Sequence, residues 1–203
     1  MRTLIVTGAS GGLGTEVVRA LSGTFAIRAL HVDLANLPAV GDAVRAIADE
    51  VGPPYGLVHL AGGFAPGSIA ETTDETWAKM IVLNLTAAFT VVRETLAVLD
   101  REKPGRIIAV SSQATLTKAR GSVAYTVAKS GLNVLIELVA KELRGTSITA
   151  NAILPSSLDT PSMRESVARE KLVPLERVAD TIAFLLSAAA ANVNGALIPL
   201  TAR

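Results

Sequence analysis

Tyr125 and Lys129 stand four residues apart in the run YTVAK, and Ser112 precedes the tyrosine by thirteen residues. A spacing of four puts the phenol and the ammonium on one face of a helix. A phenol with an unperturbed pKa of about 10 is a poor acid or base near neutrality. A neighbouring ammonium stabilises the phenolate and lowers that value. A serine hydroxyl can then hold a substrate oxygen while the tyrosine moves the proton. These parts suit the interconversion of a carbonyl and an alcohol. A Tyr–Lys pair alone is more often surface and packing, and it gains meaning from its company.

That company is a glycine loop, TGASGGLG, over Thr7–Gly14. It lies directly between an apolar strand-like run, TLIVTG, and a helical pattern. Glycines at such a joint let the backbone turn tightly and approach a pyrophosphate, and the helix N-terminus offers free N–H groups to its charge. The spacing Gly8, Gly12, Gly14 is neither the commonest G-x-G-x-x-G fingerprint nor a P-loop.

The elements that must carry these residues alternate along the chain. Strand-like runs at Thr3–Gly8, Phe25–Asp33, Gly56–Gly63, Gly105–Ser112, Ser147–Pro155 and the closing ALIPL alternate with helical patterns. Thr72 and Glu75 predict a capping box opening a long helix to Asp100. A second long helix spans Ser122–Arg144. Strands that are apolar on both faces and separated by helices predict a parallel sheet covered on both sides. The expected fold is α/β, a Rossmann-like doubly wound parallel sheet in three layers. Residues 1–203 read as a single domain.

Composition narrows the function classes. Half of the residues are hydrophobic, 18% are charged and the formal net charge is +1. That balance disfavours disorder and a nucleic-acid or anionic membrane partner. There is no cysteine, hence no disulfide and no thiolate chemistry, and no metal site is expected. The uncharged run Ile182–Leu200 is long enough to span a bilayer, but Asn192, Asn194, Gly195 and Pro199 break it into helix, turn and strand. No cleavable leader is visible at the start, and the cytoplasm is the expected location.

In order, TGASGGLG, AGG at Ala61–Gly63, Asn84 in VLNLT, Ser112, YTVAK and LPSSLDTP at Leu154–Pro161 resemble the motifs of the short-chain dehydrogenases/reductases. The resemblance covers nearly the whole chain. AGGFAPG, LPSSLDTP and PLERVADTIAF are most similar to the branch containing dihydropteridine reductase. The resemblance implies an oxidoreductase that passes hydride between NAD or NADP and a small carbonyl, alcohol or pterin-like C=N group. It implies Tyr125 as general acid/base, with Lys129 on the nicotinamide ribose and lowering the tyrosine pKa. Ser112 would orient the substrate oxygen, and Asn84 would hold a water of the proton relay. Gly8, Ser10, Gly12, Leu13 and Gly14 would line the pyrophosphate, and Ala61, Gly62 and Gly63 the adenosine ribose. Pro155, Leu158 and Thr160 would meet the carboxamide. Related proteins associate through the two long helices, so a homodimer or homotetramer is expected. The segment Ser162–Val173 is the expected lid.

Departures from the pattern are informative. His59-Leu60 replaces a pair of asparagines, and His59 reads as a satisfied core residue. Ser156 replaces a glycine after Pro155. Gly11 stands where some NADP-using relatives carry a base, which counts slightly against NADP. Asp33 is ambiguous. It lies 19 residues after Gly14, near the interval of about 20 for a ribose-binding acid. Yet DLAN followed by a helix matches the family's third-strand motif, in which Asp33 and Leu34 face the adenine. The downstream register favours the adenine assignment. The region from the second strand to the third is then short by about one strand–helix unit between Leu21 and His31. That loss also motivates a second reading: a dinucleotide-binding sensor or interaction protein without catalysis.

Overall fold

The computed structural model describes residues 1–118 and 120–202. Its strands are β1 (Arg2–Thr7), β2 (Phe25–Ala29), β3 (Gly56–His59), β4 (Gly105–Val110), β5 (Ile148–Pro155) and β6 (Leu197–Leu200). They form one parallel sheet in the order β2-β1-β3-β4-β5-β6. The apolar runs sort as their patterns require. Every residue of β3, β4 and β5 is buried, while β2 and β6 are half-buried edges.

Chain direction decides which face each helix covers. α1 (Gly12–Leu21) leads from β1 outward to β2 and packs with α8 (Leu175–Leu186) on one face. α2 (Leu37–Val51) leads back across β1 to β3, so a right-handed crossover lands it on the opposite face. There it packs against α4 (Ala87–Val98), beside α6 (Val123–Glu142). Two apolar cores result, one containing Leu57, Ile107, Val91 and Leu132, the other containing Val17, Val58, Ile108 and Ile182. The strand order reverses between β1 and β3, and the carboxyl ends there are the ligand crevice of open α/β sheets.

The expected shortening is visible in the topology. The usual doubly wound order puts two strands beyond the first; here β2 alone lies outside β1. β2 also stops at Ala29 rather than running to Asp33. β1 ends at Thr7, so His31–Asp33 have no ladder partner and turn away into α2.

The capping box is corrected. Thr73, not Thr72, caps α3 (Asp74–Ile81), its hydroxyl accepting the Thr76 N–H at 3.1 Å. Thr72 donates its own hydroxyl to the Ser68 carbonyl at 2.7 Å. The predicted long helix continues from α3 through a π-helical turn, Val82–Thr86, into α4. Helices Asp74–Val98 and Val123–Glu142 are long and apolar enough to cross a membrane. Their Ala88, Val91, Val92, Leu132 and Ile136 are instead buried on the sheet.

Candidate active site

The glycine loop is shaped by contacts that only glycine permits. Gly8 has φ +69°, and a Cβ there would come within 2.8 Å of the Ala61 backbone nitrogen. A Cβ on Gly14 would stand 2.0 Å from the Gly8 carbonyl oxygen. The loop thus folds back on itself and lies against the exit of β3. Gly11 sits at the N-cap of α1 with no side-chain cap, so the first N–H groups of the helix are left for a ligand. Ser10 is exposed and Leu13 is buried beneath the loop.

Thr7 ties loop to strand. Its hydroxyl oxygen accepts the Ala61 N–H at 3.3 Å and lies 2.8 Å from His59 Nδ1. His59 is fully buried, and its Nε2 has no partner among the described residues. The sequence reading of a satisfied core histidine therefore holds for one ring nitrogen only. Burial, with the charge of Lys129 nearby, holds the imidazole down at about 3.

Asn84 is buried inside the π-helical turn. Its amide donates to the Gly63 and Met80 carbonyls at 3.0 and 3.1 Å, and its oxygen accepts the Gly63 N–H at 3.1 Å. Both amide donors are therefore spent on backbone, and the side chain clamps Gly63. A Cβ on Gly62 would meet Asn84 Oδ1 at 2.6 Å and Lys129 Nζ at 3.1 Å. Ala61–Gly63 thus run directly beside the catalytic candidates.

Ser112 follows β4, and its loop is pinned from α6. Asn133 Nδ2 donates to Thr115 Oγ1 at 2.9 Å, and the Thr115 hydroxyl donates to the Ser112 carbonyl at 2.8 Å. Tyr125 and Lys129 share one face of α6, as the spacing requires. Burial pushes the Tyr125 phenol above its ordinary value, and a hydrogen bond with Ser112 pulls it down less strongly. Lys129 Nζ donates to the Val110 carbonyl at 2.9 Å, and burial lowers its ammonium to about 8. The lysine is thus anchored on the end of β4.

Phe64 was not singled out by spacing or motif. Its ring is 65% exposed and lies edge-on to Tyr125, with centroids 5.1 Å apart at 76°. The only signal in the sequence is an aromatic just after AGG in a chain that has few aromatics.

Pro155 ends β5, and Leu158 bridges to Val173. Thr160 caps α7 (Pro161–Arg164), and its methyl would lie 3.6 Å from a Cβ on Gly12. The lid segment therefore starts against the glycine loop, from the far side of the crevice. Asp33 lies beyond β2, exposed, with a carboxylate oxygen accepting the Ala35 N–H at 2.9 Å. Leu34 packs on the core beneath α2. Glycine loop, Ala61–Gly63, Asn84, Ser112, Tyr125, Lys129 and Thr160 thus meet at the carboxyl ends of the sheet. The close backbone approaches and the uncapped helix end fit a dinucleotide pyrophosphate.

Comparison with known proteins agrees with this arrangement. The family described as short chain dehydrogenase matches residues 22–171. A short chain dehydrogenase of Aspergillus calidoustus, ausX, is 32% identical over 84% of this chain and 77% of its own. The 3-oxoacyl-[acyl-carrier-protein] reductase MabA of Mycobacterium bovis is 29% identical over 98% of this chain and 91% of its own. That alignment spans 224 positions against 203 residues here, so the relative carries residues this chain lacks. Among solved structures, a point variant of actinorhodin polyketide ketoreductase with NADPH superposes with a TM-score of 0.90. It is 25% identical over 99% of this chain and 96% of its own. The fold, the matched segment and these relatives together place the chain in the short-chain dehydrogenase family of oxidoreductases.

Proposed function

We propose that the chain reduces or forms a small carbonyl or alcohol, or a pterin-like C=N group, with NAD or NADP as partner. The observation that carries this reading is the convergence of Tyr125, Ser112 and Lys129 beside a glycine loop at the strand ends. The nicotinamide, when bound, supplies or takes the hydride. The chain's own residues do the rest. Ser112 holds the substrate oxygen, and Tyr125, close enough to Ser112 for its hydroxyl to draw the phenol pKa down, gives or takes the proton at that oxygen. Lys129, held on the Val110 carbonyl, brings its ammonium to the ribose. Asn84 is a positioning residue that fixes Gly63, and so the loop along the adenosine ribose. Gly8, Gly12, Leu13 and Gly14 line the pyrophosphate; Pro155, Leu158 and Thr160 face the carboxamide.

Two relatives reduce ketones by their names, which supports a carbonyl over a C=N group. The test is consumption of NADH or NADPH against a panel of ketones, aldehydes and quinonoid pterins. Turnover on at least one substrate is expected. Binding of dinucleotide without any turnover would move the chain to the sensor reading.

Self-association is proposed through the two long helices. Phe89 on α4 and Val127, Val134 and Leu138 on α6 are each about half exposed, and the groove between the helices is lined by Phe89, Leu96, Leu135 and Leu138. Light scattering at micromolar concentration is expected to give a dimer or tetramer mass. Leu138→Arg is expected to shift it toward the monomer, because a buried unpaired charge is costly. A wild-type monomer would refute the interface.

A further inference from the structure

The face of α6 that carries Tyr125 and Lys129 bears another polar residue one turn further on. Asn133 follows Lys129 by four residues and so lies on the same face. It is 6% exposed, and its Oδ1 has no partner among the described residues. A buried carbonyl oxygen left unpaired costs stability, which an apolar side chain of similar size would avoid. Asn133 Nδ2, by contrast, is engaged. It reaches Thr115 in α5 (Ala114–Thr117), the short helix that opens two residues after Ser112.

The direction of this contact is dictated by chemistry. The Thr115 hydroxyl donates its proton to the Ser112 carbonyl at 2.8 Å. A hydroxyl has one proton to give, so the Thr115 oxygen is left to accept. Asn133 Nδ2 supplies that donor at 2.9 Å. The donors therefore run one way, from α6 through Thr115 to the Ser112 peptide. Neighbouring contacts hold the same turn. The Ser111 hydroxyl donates to the Lys129 carbonyl at 3.3 Å, and the Gln113 N–H to the Pro155 carbonyl at 2.9 Å. Lys118, left-handed at φ +52°, donates its ammonium to the Thr115 carbonyl. The Ala114 N–H donates to Ser112 Oγ at 3.2 Å. That last bond fixes the serine side chain and leaves its own proton for a substrate oxygen.

We infer that Asn133 is a positioning residue for the reaction, setting Ser112 against Tyr125 through Thr115. The inference rests on the oxidoreductase reading above, in which Ser112 holds the substrate oxygen. Tyr125 is carried by α6 itself, whereas Ser112 sits on a loop after β4. The line from Asn133 refers both groups to one rigid helix. A displacement of about 1 Å at a reacting group can cost about 10²-fold in rate, so the line matters to turnover more than to folding.

The test compares Asn133→Leu, Asn133→Asp, Thr115→Val and Thr115→Ser with wild type. Turnover is read on the panel above, affinity by the fluorescence of bound NADH and NADPH, and folding by melting curves. Asn133→Leu and Thr115→Val are each expected to lower kcat by about 10–10²-fold, with melting temperature and dinucleotide affinity near wild type. Asn133→Asp keeps the shape, but a carboxylate accepts and would draw the Thr115 proton away from Ser112; the same loss is expected. Thr115→Ser keeps the hydroxyl and should recover most of what Thr115→Val loses. Combining Asn133→Leu with Thr115→Val should cost no more than either alone, because both cut one line. Should Asn133→Leu fail to fold, Thr115→Val carries the same test. A further readout needs no substrate. The nearby Ser112 hydroxyl draws the Tyr125 phenol pKa down, so Asn133→Leu should raise it in a ¹³C NMR titration of ring-labelled tyrosine, with Tyr125→Phe assigning the signal. Full turnover in a folded variant, or losses that add in the double variant, overturns the inference alone. If wild type turns over no member of the panel, the oxidoreductase reading fails, and the phenol titration decides the role of Asn133: an unmoved value overturns it.

Discussion

Tyr125→Phe is expected to lower turnover by about 10²–10⁴-fold, the range that a positioned general acid or base contributes, while leaving dinucleotide affinity within a few-fold of wild type. The substitution removes one oxygen and keeps the ring. The edge-on contact with Phe64 and the packing of α6 therefore survive. What disappears is the phenol hydroxyl beside Ser112 at the end of β4. The pH profile supplies a second readout. Reduction needs the phenol protonated, and burial holds that pKa up. The wild-type reduction rate should therefore persist through neutrality and fall only as the phenol ionises. Residual activity of the variant should lack that basic limb. Full activity in Tyr125→Phe would remove the tyrosine from the mechanism, and tight dinucleotide binding in the same sample would show that the fold was intact.

His59 should make the protein acid-sensitive before its carboxylates titrate. Its imidazole stays neutral in the folded chain down to about 3, against an ordinary 6.5. Between these values the unfolded chain takes up a proton that the folded chain refuses. The histidine therefore contributes stability in full above pH 6.5, and the contribution is lost as pH falls through the window. At about 1.4 kcal/mol per pH unit, roughly 2 kcal/mol is gone by pH 5, a sizeable share of a typical 5–15 kcal/mol. Urea unfolding of wild type and His59→Leu at pH 7 and pH 5 isolates this. Wild type should lose about 2 kcal/mol more than the variant. Equal losses would place the acid sensitivity elsewhere. Any cavity left by the leucine affects both pH values alike and cancels in the comparison.

Much of this site is readable because its chemistry depends on local spacing. Four residues on a helix put Tyr125 and Lys129 on one face, and glycines between a strand and a helix can only be a turn. The alternation of strands and helices likewise fixes a parallel sheet and its crevice. Misreadings arise where a distant partner decides. Thr72 and Thr73 are equally good caps by type, but Ser68 takes the hydroxyl of Thr72 and leaves the helix to Thr73. The apolar alternation of residues 25–33 favours a strand throughout, but β1 ends at Thr7 and leaves His31–Asp33 with no strand to pair with. The π-helical turn at Asn84 has no composition of its own; it is visible only when Gly63 is seen bonded on both sides to one side chain. Phe64 belongs to no local pattern, and its importance lies in a contact across sixty-one residues.

The π-helical turn also has a mechanical consequence. Asn84 grips Gly63 by both its N–H and its carbonyl, and five residues later the same continuous rod carries Phe89 on its open face. The exposed ring of Phe89 and the peptide that borders the crevice are thus joined by one unbroken helical rod. Anything that seats against that outer face is expected to slow amide exchange at Gly63.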